Sequence, residues 1–294
     1  MAKQKFTGTG VAIVTPFRKD DSIDFKALAK LIEHLISNKV DYLVVLGTTG
    51  ETPTLSKKEK KAVTNFVKEA VAGRVPMVIG IGGNNTQEVV SYIKKTDFDG
   101  IDAVLSVAPY YNKPSQKGLY IHYKTIASFS PVPVIIYNVP GRTGSNITAE
   151  TTLKLAHESN NNFAAIKEAS GNLDQITKII RNKPDQFLVI SGDDAITLPM
   201  ISLGGSGVIS VIANAFPGEF SEMVRFALAN KYPEARKIHY GLMEIMEQIF
   251  IDGNPAGIKA ALSIMGLVQN HVRLPLSTVS RSTYNRLSEL IKKD

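Results

Sequence analysis

The feature that most constrains the fold is an alternation between short apolar runs and segments of helical period. Most of the runs are apolar without a break, which is typical of parallel strands covered on both faces. Eight of them recur: GVAIVTP from Gly10, YLVVLG from Tyr42, PMVIGIG from Pro76, AVLSVAP from Ala103, PVIIYNVP from Pro133, FAAIKEAS from Phe163, FLVISGDD from Phe187 and GVISVIANA from Gly207. Between them, stripes such as the one over residues 25–36 have the period of an amphipathic helix. The alternation predicts an α/β fold built on a parallel sheet.

Two parallel-sheet architectures fit this pattern. Strand and helix patterns alternate about eight times, at intervals of roughly 20 to 35 residues, which favours a (β/α)8 TIM barrel. A doubly wound sheet is the alternative, and it is less favoured because no G-x-G-x-x-G follows the first run. After residue 224 the strand signal stops and helical patterns fill the chain. We therefore expect a (β/α)8 barrel over residues 1–224 and a small C-terminal helical domain over residues 225–294.

Composition excludes several classes of protein. The chain contains no cysteine, which rules out disulfides, thiolate catalysis and cysteine-ligated metals. The five histidines show no paired spacing, so no metal site is predicted. No apolar run approaches the roughly 18 residues of a membrane span, and the N-terminus has no apolar signal core. We expect a cytoplasmic protein with no membrane association and no cofactor.

The formal net charge of +7 raises the question of a nucleic-acid partner. The basic residues lie on helix faces such as SKKEKKAV (56–63), where acids are interspersed with them. The sequence has no arginine-rich arm and no alternation of aromatic with basic residues, which a stacking platform would need. A solvated helix face explains the charge, and no nucleic-acid partner is predicted. A modest positive field would also suit small anionic substrates.

Polar clusters follow most of the predicted strands. Barrel enzymes carry their chemistry at the carboxyl ends of the strands, which all meet at one rim. The clusters are GTTGE (47–51), GGNNT (82–86), APYYNKP (108–114), YNVPGRTG (137–144), KEASGN (167–172) and SGDD (191–194). One polar loop means little, but the convergence of six predicts a site at this rim.

Lys167 is the most unusual residue of the rim, because it ends an apolar run. It could reach water along its aliphatic stem, or it could stay inside as a functional amine. An amine without a metal set, a thiol or a phosphate loop suggests imine chemistry on a carbonyl substrate. Lowering a lysine pKa by about three units corresponds to roughly 4 kcal/mol, which desolvation in a barrel could supply. The hydroxyls of Tyr137 and Thr48 could pass protons, and Arg142 offers a forked match to a carboxylate.

The same motifs occur, in this order, in dihydrodipicolinate synthases of the N-acetylneuraminate lyase superfamily. The chain resembles this family over essentially its whole length, including GGSGVISV, NPAGIKAAL and VRLPL. The resemblance implies a lyase that condenses pyruvate with L-aspartate 4-semialdehyde to 4-hydroxy-tetrahydrodipicolinate, in diaminopimelate and lysine biosynthesis. Another pyruvate-dependent aldolase, such as an N-acetylneuraminate or keto-sugar-acid lyase, is the alternative. Arg142 favours the synthase, because sialic acid lyases lack this arginine. A barrel that only binds or signals is a third, non-enzymatic alternative.

The resemblance also implies a role for each rim residue. Lys167 would form the imine with pyruvate, and Tyr137 would donate and accept protons above it. Thr48 and Tyr111 would complete a proton relay, with Tyr111 reaching over from a neighbouring subunit of a homotetramer built from two tight dimers. Arg142 would hold the carboxylate of the aldehyde. The residues implied at pyruvate are Thr49, Ile209 through its backbone, and Gly192 nearby.

A possible allosteric site is implied as well. Lysine-inhibited members bind the end product with an Asn, a Glu and a Tyr that match Asn84, Glu88 and Tyr110. They usually carry two histidines on the helix after GTTGE, where this chain has Lys57 and Lys60. Because a lysine side chain can only donate and repels an ammonium ligand, we expect weak or absent inhibition by L-lysine.

Some polar residues have plain structural interpretations. Lys259 lies in a predicted helix and is expected to be structural. Asp193 and Asp194 could cap a helix, and Tyr110 could pack only at a subunit interface.

Overall fold

A computed structural model describes residues 5–158 and 162–292. Its centre is a closed barrel in which eight parallel strands follow one another in sequence order, and β8 pairs with β1. The strands are β1 (Gly8–Ala12), β2 (Tyr42–Val45), β3 (Met77–Gly80), β4 (Ala103–Val107), β5 (Val134–Asn138), β6 (Phe163–Glu168), β7 (Leu188–Ser191) and β8 (Gly207–Ser210). Each overlaps one of the apolar runs. The (β/α)8 prediction is confirmed, and the doubly wound sheet is excluded.

Twelve α-helices accompany the strands within the described ranges. They are α1 (Phe25–Ser37), α2 (Lys57–Val71), α3 (Thr86–Lys95), α4 (Gln116–Phe129), α5 (Pro140–Thr143), α6 (Ala149–Ala156), α7 (Leu173–Asn182), α8 (Thr197–Ser202), α9 (Pro217–Leu228), α10 (Tyr232–Gln248), α11 (Ala256–Ile264) and α12 (Arg281–Ile291). Local signals set their ends. At the start of α2, Ser56 Oγ accepts from Glu59 N (3.3 Å) and Glu59 Oε2 accepts from Ser56 N (2.8 Å), which completes a capping box. Among the described residues, no helix is both long and apolar enough to cross a bilayer.

The apolar core has two layers, because successive side chains of a strand point to opposite faces. Ile135, Tyr137 and Ala165 belong to a cluster inside the barrel. Ile136 and Ile166 belong to another, which packs under the surrounding helices. On β5 and β6 the alternation therefore turns Tyr137 and Lys167 inward, and it turns the residues that follow each of them outward.

The predicted domain boundary between residues 224 and 225 falls inside a helix. Helix α9 runs to Leu228, and it packs on β1, β8 and α8 as the last helix of the barrel. Helix α10 packs on α9, and α11 and α12 pack on each other. We therefore propose that the barrel ends at Leu228 and that α10, α11 and α12 form the C-terminal appendage.

Candidate active site

The buried amine of Lys167 lies beside a tyrosine at the carboxyl end of the barrel. Lys167 on β6 and Tyr137 on β5 are register partners across the sheet. Lys167 is 4% exposed and Tyr137 is 6% exposed. The Nζ atom of Lys167 lies 4.3 Å from the centre of the Tyr137 ring. Lys167 is thus not a lysine that reaches water along its stem; its amine is held inside the barrel next to the aromatic ring of Tyr137.

Gly192, directly after β7, leaves the space that the Lys167 side chain occupies. A Cβ atom at position 192 would lie 2.9 Å from Cε of Lys167 and 2.7 Å from Cβ of Ala169. Both distances are shorter than ordinary van der Waals contact. The backbone N–H of Gly192 donates to the carbonyl oxygen of Glu168 at 2.8 Å, which fixes this close approach. Gly192 therefore lies next to the Lys167 side chain, and its implied place near pyruvate stays a prediction.

The loop after β2, residues 47–51, carries two adjacent threonines. Thr48 to Gly50 form one 3-10 turn, in which Gly50 N donates to Gly47 O at 3.1 Å. Thr48 is half-buried and Thr49 is buried. The Oγ1 atom of Thr49 accepts a hydrogen bond from Nδ2 of Asn254 at 3.0 Å. Asn254 precedes α11, so the appendage contacts a residue that the family resemblance implies at pyruvate.

A fully buried ion pair also ties this loop, which we call the threonine loop, to the appendage. Glu51 closes the loop in the left-handed conformation (φ 53°) and pairs with Lys259 of α11. Lys259 Nζ also donates to the carbonyl oxygen of His271 at 3.0 Å, and Glu51 Oε2 accepts from Arg273 N at 3.0 Å. Burial lowers the pKa of Lys259 to about 8, against the opposing effect of Glu51. Lys259 is structural, in agreement with its plain interpretation.

Asp194 supports the segment after β8. Its Oδ2 atom accepts from the backbone N–H groups of Val211 (3.0 Å) and Ile212 (2.8 Å). These bonds cap the start of the 3-10 turn over Ile212–Asn214 from a residue distant in sequence. Helix α8, the next helix after Asp194, has no side-chain cap at its N-cap residue Ile196, so capping of that helix by Asp193 or Asp194 is not observed. Burial raises the pKa of Asp194 to about 6, although these hydrogen bonds oppose the shift. Ile209, two residues before the capped segment, is 1% exposed on β8.

Two rim residues are exposed in the single chain. Arg142 lies on α5, directly after β5 and Tyr137. Tyr111 has φ 71° and is 90% exposed. Its backbone N–H donates to Thr143 O at 3.3 Å, which ties its loop to α5. The structure therefore does not bring the Tyr111 side chain to Lys167 within one chain, and its role in a neighbouring subunit stays a prediction.

The residues of the possible allosteric site lie in the loop after β3, on α3 and in the loop after β4. Asn84 Nδ2 donates to Tyr110 O at 3.4 Å, and Asn84 O accepts from Asn112 Nδ2 at 3.2 Å. Tyr110 is 43% exposed, and Glu88 is exposed in the first turn of α3. The structure brings Asn84 and Tyr110 together, but nothing in it tests whether they bind a ligand.

A group of polar residues outside the barrel was missed from the sequence. Glu168 and Asn138 are 0% exposed and hydrogen-bond to each other behind the Lys167–Tyr137 pair. A signal was available, because FAAIKE ends on two consecutive charged residues. If the first of them points into the barrel, the second must be buried under the helices.

Comparison with known proteins identifies the family. The model of the dihydrodipicolinate synthetase family matches residues 5–294. The chain belongs to this family. The 4-hydroxy-tetrahydrodipicolinate synthase of Parabacteroides distasonis is 54% identical over 293 residues, which cover 100% of this chain and 98% of that protein. The fold class, the family and the synthase activity predicted from the sequence are confirmed.

Two solved structures of the family bear on regulation and assembly. Dihydrodipicolinate synthase from Cyanidioschyzon merolae, with lysine bound, has a TM-score of 0.94 and 40% identity, and covers 99% of this chain and 98% of its own. A monomeric dihydrodipicolinate synthase variant has a TM-score of 0.95 and 37% identity, and covers 98% of this chain and 97% of its own. Family membership alone therefore does not fix the oligomeric state.

Proposed function

We propose that the chain condenses pyruvate with L-aspartate 4-semialdehyde through an imine on Lys167, giving 4-hydroxy-tetrahydrodipicolinate for diaminopimelate and lysine biosynthesis. The observation that carries this proposal is the buried Lys167 amine, 4.3 Å from the centre of the Tyr137 ring at the barrel mouth. The reaction needs no cofactor, because the imine itself accepts the electron pair of the carbanion. A cytoplasmic location is part of the same proposal.

The reaction begins with attack of the uncharged Lys167 amine on the ketone carbon of pyruvate. The carbinolamine loses water to give the imine, and loss of a methyl proton gives an enamine. The enamine carbon then attacks the aldehyde carbon of the semialdehyde and forms the new C–C bond. Finally, the amino group of that substrate attacks the imine carbon, which closes the ring and releases Lys167. One water molecule leaves for each pair of substrates consumed.

Proton transfers accompany every one of these steps. In this proposal the Tyr137 hydroxyl donates to and accepts from the groups at Lys167. Thr48 on the threonine loop and Tyr111 connect Tyr137 to solvent. The high exposure of Tyr111 suits a residue that enters the site of a neighbouring subunit, so the proposal includes a homotetramer made of two tight dimers.

The substrates are held by groups around the lysine. Thr49 and the backbone of Ile209 contact pyruvate, and Gly192 borders it. Arg142 binds the carboxylate of the semialdehyde through its forked guanidinium, for which its exposed place after β5 is suitable. A pyruvate-dependent lyase whose aldehyde substrate is a neutral sugar would offer this arginine no carboxylate to bind.

Borohydride reduction in the presence of pyruvate tests the mechanism. We expect one pyruvate adduct per chain by intact mass, and peptide mapping should place it on Lys167. The other fully buried lysine, Lys259, provides the internal control, because its pairing with Glu51 should leave it unmodified. An adduct that persists in Lys167→Ala, or that maps to Lys259, would contradict the proposal.

The alternative, another pyruvate-dependent aldolase, also passes through a pyruvate imine, so trapping does not separate the two. Arg142→Ala does. A synthase should lose most of its turnover of the semialdehyde while the pyruvate adduct still forms. Turnover of N-acetylneuraminate by the unmodified enzyme, at a rate comparable to that with the semialdehyde, would favour the lyase instead.

A further inference from the structure

Each of the two catalytic residues on β5 and β6 has a buried polar neighbour on the outer face of the barrel. Lys167 is followed by Glu168, and Tyr137 is followed by Asn138. These neighbours are register partners of each other, as Lys167 and Tyr137 are. Because strand side chains alternate, the inner pair faces the substrate site and the outer pair faces the helices.

The outer pair is joined by hydrogen bonds that saturate the carboxylate. Asn138 Nδ2 lies 3.1 Å from both carboxylate oxygens of Glu168. Gln175 Nε2, on α7, donates to Oε2 at 3.0 Å, and the backbone N–H of Ser170 donates to Oε1 at 2.9 Å. Burial raises the pKa of Glu168, and these hydrogen bonds oppose the rise. Since no cation of the described ranges is among its partners, the charge depends on these donors.

A third amide, Asn146, closes a ring of contacts that we call the outer-face cluster: Asn138, Asn146, Glu168 and Gln175. Asn146 Oδ1 accepts from Asn138 Nδ2 at 2.8 Å, and Asn146 Nδ2 donates to Gln175 Oε1 at 2.9 Å. Asn138 Oδ1 accepts from the backbone N–H of Ile147 at 2.9 Å. The orientation of the Asn138 amide is therefore fixed, at one end by a carboxylate that only accepts and at the other by a backbone N–H that only donates. Gln175 is oriented by the same carboxylate, and Asn146 is oriented by Asn138 and Gln175.

The cluster also hydrogen-bonds to the segment that carries Arg142. This segment leaves β5 after Asn138, forms α5 and returns at Ile147. Asn138 holds both of its ends, through its backbone in β5 and through its side-chain bond to Ile147 N. A change in the Asn138 side chain would therefore move Tyr137, which is next to it, and Arg142, which is on the segment.

We propose that Glu168 is a positioning residue of the reaction: by orienting Asn138, it keeps Tyr137 in register with Lys167 and holds the Arg142 segment over them. The inference rests on the proposed function. Formation of the pyruvate imine needs Lys167, the proton relay through Tyr137 and the pyruvate contacts, whereas carbon–carbon bond formation also needs Arg142 in place. Loss of the cluster should therefore affect the semialdehyde step more than imine formation.

The variant Glu168→Gln tests this separation, because it keeps the size of the side chain and removes an acceptor. Its NH2 group must face Asn138 Nδ2 together with either Ser170 N–H or Gln175 Nε2, all of which are donors. Asn138 cannot reverse to relieve the conflict, because Ile147 N–H requires its oxygen. We expect the KM for the semialdehyde to rise at least tenfold, the KM for pyruvate to change less than threefold, and the trapped pyruvate adduct to persist.

Two further variants keep the test decisive. Gln175→Ala removes one donor and leaves the carboxylate and Asn138, so it should raise the KM for the semialdehyde in the same direction by a smaller factor. Ile176→Val, at the neighbouring fully buried position of α7, loosens the same helix without touching the cluster and should leave both KM values unchanged. If Glu168→Gln does not fold, the KM values of Gln175→Ala and Ile176→Val decide whether the outer-face cluster has a positioning role.

The outcomes separate the inference from the proposed function. Wild-type KM values in Glu168→Gln would overturn the positioning role. Equal changes of the KM for the semialdehyde in Gln175→Ala and Ile176→Val would also overturn it. A parallel rise in both KM values would also overturn it, because general loosening of the barrel would then suffice. Failure of the unmodified enzyme to form an adduct at Lys167 would instead overturn the proposed function.

Discussion

The side chain of Lys167 lies in space that only a glycine at position 192 leaves open. We expect Gly192→Ala to slow imine formation at least tenfold. This corresponds to an activation free energy higher by about 1.4 kcal/mol, which would come from strain in the barrel or from displacement of the amine. The reason is that the new Cβ would lie 2.9 Å from Cε of Lys167 and force this side chain to move. The rate of borohydride trapping with pyruvate measures the effect. Gly241→Ala, where a Cβ meets nothing within 4 Å, is the control. Equal trapping rates in the two variants would contradict the prediction.

Asp194 should make the stability of the barrel depend on pH. Burial raises its pKa in the folded state to about 6 from the ordinary value of 3.8, so the folded state holds the proton more tightly than the unfolded chain. Between about pH 4 and 6 the unfolded chain releases the proton first, and the free energy of unfolding therefore falls as the pH rises. Asp194→Asn removes this titration while an amide oxygen can still accept from Val211 and Ile212. The thermal midpoint of the unmodified protein, relative to Asp194→Asn, should fall between pH 4 and 6 and stay level above that. A difference between the two thermal midpoints that does not change with pH would contradict the raised pKa of Asp194.

Single residues were predicted from the sequence when their local pattern was informative. Lys167 stands out as a charge at the end of an apolar run, and the motifs around it carry the family resemblance. Glu168 is in the same motif and was missed, because its importance comes from Asn138, Asn146 and Gln175. Those contacts depend on the register of β5 and β6 and on the return of the Arg142 segment, neither of which is encoded in any short stretch of sequence.

At the scale of elements, the strands could be predicted closely, and the domain boundary stays a prediction. Continuous apolar runs gave all eight strands, since a strand covered on both faces cannot alternate. The predicted boundary at residue 224 falls inside α9, which runs to Leu228. A barrel strand is followed by its own helix, and we therefore propose that α9 belongs to the barrel although its sequence looks like the start of a helical domain. The bond from Asn254 to Thr49 joins residues 205 positions apart and has no local signal.

The appendage should stabilise the threonine loop through Lys259. In Lys259→Met the buried carboxylate of Glu51 loses its cation, and removal of one partner of a buried pair costs about 3–5 kcal/mol. We expect a lower thermal midpoint and a higher KM for pyruvate, because Glu51 closes the loop that carries Thr48 and Thr49. Adding Glu51→Gln should recover part of the midpoint, since no uncompensated charge remains. Lys237→Met, at an exposed position of α10, is the control. A normal midpoint in Lys259→Met would show that the pair does not support the loop.

At the scale of the whole molecule, the proposed relay makes catalysis a property of two chains. Tyr111→Phe lacks the relay residue and Lys167→Ala lacks the amine, so each should be nearly inactive alone. If Tyr111 serves a neighbouring subunit, a mixed dimer has one site with Lys167 from one chain and Tyr111 from the other. Random mixing of the two variants should then restore about a quarter of the activity of the unmodified enzyme, because half of the C2 dimers are mixed and each has one complete site.

Light scattering at the assay concentration is the necessary companion to this mixing experiment. An active monomer would contradict the shared relay, and the existence of a monomeric dihydrodipicolinate synthase variant makes this measurement informative. If the activity of the mixtures never exceeds the summed activities of the two variants, Tyr111 acts in the site of its own chain or has no role in catalysis. In either case the homotetramer would no longer be required by the mechanism.

Feedback by L-lysine is the remaining property of the assembled enzyme that the sequence addresses. Asn84, Glu88 and Tyr110 are retained, but α2 presents Lys57 and Lys60 where lysine-inhibited members usually have histidines. Burial lowers the pKa of Lys60, and repulsion from Lys57 adds to the shift, so the two cations already oppose each other. An ammonium ligand nearby would add a further opposing charge, at about 1 kcal/mol or more for each lysine.

We therefore expect half-inhibition by L-lysine only above about 1 mM, which corresponds to an affinity of roughly −4 kcal/mol. An initial-rate titration of the unmodified enzyme measures it. Replacing both cations, in Lys57→His with Lys60→His, should lower the half-inhibitory concentration by a factor on the order of ten to a hundred, because neutral imidazoles can accept from the ligand. Lys58→His, at an exposed position of the same helix, is the matched control and should change nothing. Half-inhibition of the unmodified enzyme well below 1 mM, on the same affinity scale, would show that the three retained residues bind lysine in spite of the added charge.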